Sequence, residues 1–327
     1  MEYTQAEQAA IAKHEATHAM YQRINQMENN MNNAIEVPKL SSRALEVKVL
    51  ISAWTAVKKK KGAARQVAAQ NNMGDIDALN VSTNVLQGCE SLTDIHTLKS
   101  EMRKYNYSKT LPWTDKGGRI LMAAEYPAWV HELTAKQAEF DRLFEVFISE
   151  YEFQKIAAQQ SQGDLFDERD YPPVEVVREK FGCRLSVMPI VDAGDWRLDV
   201  EDDAQGCFDE LIATHTSAAE TRINAAMADI HKRLHKVLAN MSDRLDYVGD
   251  KDKKTFRGTL LDNVLDIVEL MRTCNLTDDT QLTAQADTLE RALRGVSCGA
   301  LRDSSHLRAE TKRTVDEVIA SLPSIDL

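Results

Sequence analysis

A chain of 327 residues with a formal net charge of −11 can bury a large core, and length alone allows one to three domains. Its acidic balance, with a pI near 5.3, disfavours nucleic acid as a partner, because duplex binding needs a basic field to displace counterions. The longest uncharged apolar-rich run, Val49 to Val57, is too short to span a bilayer, and the opening MEYTQAEQAA carries Glu2 and no apolar stretch, unlike a signal peptide. The expectation is a soluble, cytoplasmic protein. Seven prolines, thirteen glycines and few aromatics favour helices over a sandwich or barrel.

Residues 1–38 read as a helical arm, set off by NNMNN and Pro38. The arm contains His14-Glu15-Ala16-Thr17-His18, which fits the zinc-peptidase pattern H-E-x-x-H. On a helix, His14 and His18 share a face and can hold one metal, with Glu15 as the base that deprotonates its water. Three features oppose that reading. No further histidine follows at the extended metzincin spacing, and nothing singles out Glu28, Glu36 or Glu46 as a third ligand. No room precedes the motif for a substrate-binding sheet. The arm's apolar stripe, Met20, Ile24, Met27 and Met31, lies roughly 130° from the two histidines. The favoured reading is a surface helix, with no cofactor.

RALEVKVLISAW follows, with Leu45, Val47, Val49 and Ile51 alternating, a period of two that predicts a strand. Next, VKKKKGAAR (Lys58, Lys59, Lys60, Lys61 and Arg65) reads as a solvated turn after the strand, with a site for phosphate or a nucleic-acid backbone as the rival reading. DKGGR, Asp115 to Arg119, reads as two glycines at a helix entrance and is no phosphate loop. Trp129, Leu133, Phe140, Phe144, Phe147 and Tyr151 recur at helical spacing, with Pro127 beginning or kinking the helix. DERD, 167 to 170, lacks the spacing of a calcium loop and reads as a capping turn.

DYPPVEVVREKFG predicts a helix with prolines in its first turn and Gly182 as its stop. CRLSVMPIVDAGDWRLDVE predicts a hairpin about its D-A-G-D turn, joined by the first strand into a three-stranded element. From Asp203 to Leu245 a stripe of Phe208, Ile212, Ala219, Ile223, Ala226, Ile230, Leu234, Val237, Met241 and Leu245 predicts one long helix. So long a stripe needs a partner, and the 129–151 segment is expected to lie antiparallel along it. His231 and His235 are expected to cover its flank. Further helices are predicted over 254–274, from a cap at Thr277 or Asp278 to Gly295, and over 303–322. The five cysteines are scattered without C-x-x-C spacing and read as reduced thiols.

From Lys48 onward VKVLISAWTAVKKKKGAARQVA, LPWTDKGGRILMAAEY, GDLFDERDYPPVEVVREKFGCRLSVMPIVDAGDWRLDV and FRGTLLDNVLDIVELMRTCNLTDD form a series of blocks. In that order they resemble domain-of-unknown-function family 3150 of tailed phages, prophages and mobile elements, over about residues 40–322. The family has no established activity, so the resemblance implies no catalytic residues. Its genes sit beside those of MoxR or cobaltochelatase-type AAA+ ATPases and von Willebrand A proteins, which implies an accessory role near such an ATPase. This chain carries neither a nucleotide loop nor D-x-S-x-S.

The sequence therefore predicts a mainly α protein, with a long antiparallel helix pair, additional helices and a small three-stranded β element, as an arm (1–38) and one domain (39–327). The expected function is a non-catalytic adaptor. It would bind a MoxR-type ATPase or von Willebrand A protein through Lys58, Lys59, Lys60 and Lys61 and through Asp164, Asp167, Glu168 and Asp170. The rival readings are a zinc metallopeptidase using His14, Glu15 and His18, and a nucleic-acid accessory protein using the lysine turn.

Overall fold

A computed structural model describes residues 40–75, 78–191, 205–247 and 258–323, with the backbone alone for 205–209. The arm with His14, Glu15 and His18, and the second limb of the hairpin expected over 183–201, lie outside the described residues. The described chain is mainly helical, as the composition predicts. In order it forms α1 (Leu40–Arg43), β1 (Ala44–Ser52), β2 (Val57–Lys59), α2 (Lys61–Gln70), β3 (Ser82–Asn84), α3 (Glu90–Lys109), β4 (Leu111–Pro112) and β5 (Arg119–Met122). There follow α4 (Tyr126–Gln162), α5 (Val174–Arg178), β6 (Gly182–Pro189), α6 (Gln205–Leu245), α7 (Thr259–Thr273), α8 (Thr280–Leu293), α9 (Cys298–Asp303) and α10 (Ser305–Ser321). Among the described residues no helix is long and apolar enough to cross a membrane.

The alternation read in RALEVKVLISAW does form a strand, and its two faces meet different cores. Successive strand residues point to opposite faces. Val47 and Ile51 therefore enter one core with Leu121, while Ala44 enters the other with Ile120. The sheet is antiparallel in the order β4-β5-β1-β6, with Leu45 opposite both Leu121 and Pro189. The expected pairing of β1 with the first limb of the hairpin is present in β6. The second neighbour of β1 is β5, from the segment read as a helix entrance. There Gly117 takes a φ of +78°, and a Cβ on Gly118 would lie 2.2 Å from Glu46 Oε1 and Thr114 Oγ1. DKGGR is thus the tip of the β4–β5 hairpin, closed by Trp113 N–H and Thr114 N–H donating to Gly118 O.

Both long stripes fold as helices, but they are buried in separate cores. Helix α4 begins at Tyr126, with Pro127 in its first turn, where its missing N–H costs no hydrogen bond. Trp129, Leu133, Phe140, Phe147 and Tyr151 pack with α3 and the Val47 face of the sheet. Helix α6 buries Ile223, Ala226, Ile230, Leu234 and Met241 with α7, α8, α10 and the Ile120 face. The expected seam between the two long helices is therefore replaced by the sheet and by shorter helices. The reason lies in α3, a 20-residue helix whose Leu92, Ile95, Leu98 and Met102 cover the stripe of α4.

The two halves are joined at the C-terminus of α3. Arg233 of α6, nine-tenths buried, donates from Nη1 to Tyr107 O at 2.7 Å and lies 3.5 Å over the Tyr107 ring. Its Nη2 is 2.5 Å from Asp229 Oδ2. Arg119 of β5 donates to Thr110 Oγ1 and Thr110 O at 2.6 and 2.7 Å. Two guanidinium groups thus meet the negative end of one helix. Burial first, and then the Arg233 charge, draw Arg119 down to about 10.

The remaining caps correct the sequence reading by a residue or two. Asp279, rather than Thr277 or Asp278, caps α8 by accepting from the N–H groups of Gln281 and Leu282, and Gly295 at φ +74° follows its end. The helix of the DYPP segment is shorter than expected and ends at Arg178, four residues before Gly182 starts β6. His231 and His235 are half-buried on α6, and burial lowers the pKa of His231.

Candidate partner-binding surface

The lysine run does not form a turn. Lys58 and Lys59 belong to β2, paired with Thr83 and Ser82 of β3, while Lys61 opens α2. Lys60, between the two elements, turns inward. Its Nζ donates to Asp170 Oδ2 at 2.5 Å and to Leu165 O at 3.0 Å, and the two side chains are only 15% and 18% exposed. The basic segment and the acidic segment, nominated as separate loops, are one clasp.

Around that ion pair a polar network fixes the end of α4. Tyr171 Oη donates to Val85 O at 2.7 Å, and Gln162 Nε2 reaches both Val85 O (3.0 Å) and Tyr171 Oη (2.9 Å). Phe166 stacks on Tyr171 at a centroid distance of 4.9 Å, and Tyr151 Oη donates to Pro172 O at 2.8 Å. Desolvation pushes both tyrosines above the usual phenol range, so they remain neutral donors. The β2–β3 module is thereby tied to α4 through buried Val85 and Leu86.

The acidic turn behaves as the sequence predicts. Asp167 caps the short 3-10 turn Glu168–Asp170 by accepting from Arg169 N–H. Its carboxylate also takes two bonds from the Arg169 guanidinium, at 2.8 and 3.0 Å, and these bonds, with the N–H, hold it down to about 2. Glu168 pairs with Lys155 of α4 at 3.0 Å. Of the eight nominated residues, Lys60, Asp167, Glu168 and Asp170 therefore have structural partners. Lys59, Lys61 and Asp164 lie exposed at the surface, with Lys58 half-buried.

What the sequence reading missed is the apolar component. Beyond Tyr151 the outer side of α4 carries Phe153 and Ile156, three residues apart and so on one side of the helix. Phe153 is 71% exposed and Ile156 56%. Leu165, whose carbonyl takes the Lys60 bond, and Val57, beside Lys58, are also half exposed. The only available signal was a Phe and an Ile off the phase of the Phe147–Tyr151 stripe.

Among the described residues no group of three or more His, Cys, Asp or Glu is placed to hold a metal ion. Grooves of about 410 and 380 Å³ run between α3 and α4 and share Asp94 and Leu143. Small-molecule sites are mostly apolar, whereas these walls carry charges paired to one another, Lys136 with Glu101 and Arg142 with Glu139. Comparison of the chain with family models, with curated proteins and with solved structures gave no match.

Proposed function

We propose that the chain is a non-catalytic adaptor that binds a protein partner on the face formed by the end of α4, the 163–170 segment and the β2–α2 junction. One observation carries this reading. Phe153 and Ile156 project exposed from α4, the helix whose end is tied down by the Tyr151–Pro172 bond and the clasp of Lys60 with Asp170, where Lys59, Lys61, Asp164 and Leu165 are also exposed. Apolar anchors inside a charged rim are the anatomy of a protein interface, where the anchors supply affinity and the rim supplies rate and specificity. The clamp reduces the entropy that binding would otherwise cost.

The resemblance to family 3150 supplies the proposed partner, a MoxR-type AAA+ ATPase or a von Willebrand A protein of a phage or prophage. The test is co-purification of the chain with its genomic neighbours. Phe153→Asp with Ile156→Asp should abolish capture while leaving the thermal melt unchanged. Lys59→Glu with Lys61→Glu should weaken it mainly at low salt. Undiminished capture by the folded Phe153/Ile156 variant would reject this surface, and failure of the wild type to capture either partner would reject the adaptor reading in this form.

A further inference from the structure

Helix α6 is 41 residues long, yet among its described side chains the first buried one is Ile223. Among the described side chains from Glu210 to Arg222 none is buried. Among the described elements, those most closely packed on α6 are α10, α7 and β4, and Arg222 already stands over the Trp113 ring beside β4, at 5.9 Å. The part before Arg222 is about 27 Å of helix at the usual rise per residue. Most of the stability of an amphipathic helix comes from packing of its apolar face. Its stripe nevertheless continues that of the core. Ile212, Thr216 and Ala219 are half-buried and stand in line with Ile223 and Ala226, with Leu211 exposed beside them.

We propose that the cover is the chain's own N-terminal arm, residues 1–38, docked with its apolar stripe along the outer half of α6. The arm's stripe is Met20, Ile24, Met27 and Met31, at offsets of four, seven and eleven. On α6 the residues Ile212, Thr216 and Ala219 have the first two of these offsets, and the next place in the repeat, Ile223, is already in the core. Two helices with one repeat bury their stripes along their whole length. The sizes are complementary too, since flexible methionines fill the space left by Thr216 and Ala219. The root of the arm is in the right place: Leu40 is buried in the same core as Ile223 and Trp113. The nine peptide units from Met31 to Leu40 reach up to about 30 Å when extended. A tethered segment also meets the stripe at an effective concentration near millimolar, far above that of a second copy in dilute solution. In this arrangement His14 and His18 face away from the contact.

Hydrogen exchange on the full chain tests the docking. Met27→Asp should speed exchange of the amides of 210–222 by roughly tenfold or more while leaving 226–241 as in the wild type. Asn29→Asp, on the opposite side of the arm, should change neither. The reciprocal variant Ile212→Asp lies outside the buried core and should speed exchange over residues 20–31 in the same way. Exchange of 20–31 at the unprotected rate in the wild type would overturn the proposal. So would protection of 210–222 that survives both aspartate variants, or protection that disappears on dilution as a second copy dissociates.

Discussion

Lys60 and Asp170 stand 110 positions apart in the chain and 2.5 Å apart in space, each less than one-fifth exposed. The pair converts two charged segments that look like independent solvated loops into a single rigid face. It also divides the four lysines by role. Lys60 holds the fold, while Lys59 and Lys61 point outward.

Lys60→Gln should lower unfolding stability by about 1–2 kcal/mol, because it leaves the Asp170 carboxylate and Leu165 carbonyl short of a partly buried donor. Lys59→Glu should stay within about 0.5 kcal/mol, as exposed substitutions do. Equal denaturant midpoints for the two variants would show that the clasp contributes nothing.

Because the stripes of α4 and α6 sit in different cores, mutations in them should be additive. Phe147→Leu and Ile230→Val should each cost about 1 kcal/mol. Their double mutant should equal the sum within about 0.5 kcal/mol. A coupling of about 1 kcal/mol or more would mean that the two long helices meet directly after all.

Cys274 is buried beside the α3 junction, and burial pushes its thiol up to about 11. A folded-state value above the unfolded one means that the folded protein holds the proton more tightly. The stabilisation is fully present below about pH 9 and is lost as pH rises through about 11. By linkage it is on the order of 2–3 kcal/mol. The difference in stability between wild type and Cys274→Ala should therefore shrink between pH 9 and 11. A difference that does not vary with pH would contradict the assigned burial. At pH 8 a thiol reagent should label Cys274 only as fast as the chain opens.

Gly118→Ala should destabilise the β4–β5 hairpin by about 1–3 kcal/mol, since the new Cβ would collide with Thr114 Oγ1, which accepts from Gly118 N–H. Gly117→Ala should cost about 1 kcal/mol through its positive φ alone. Melting of both variants with the wild type would exclude the tight turn.

The sequence by itself determined the elements whose signal repeats within one segment. The period of two in Leu45–Ile51 marked β1, the three-and-four spacing marked α4 and α6, and Asp167 announced a cap. Each depends on neighbours a few positions away, where backbone geometry alone fixes which side chains share a face. The candidate surface was half legible in the same way, through its charges. What only the tertiary structure decided was which stripe covers which, that Lys60 meets Asp170, and that DKGGR turns a hairpin. It also decided that Phe153 and Ile156 stay uncovered after the stripe of α4 has been buried. A periodic stripe states that some apolar partner is required but carries no address for it. Helix α3 and the sheet took the place beside α4 because the folded chain holds them there, through contacts between residues far apart in sequence.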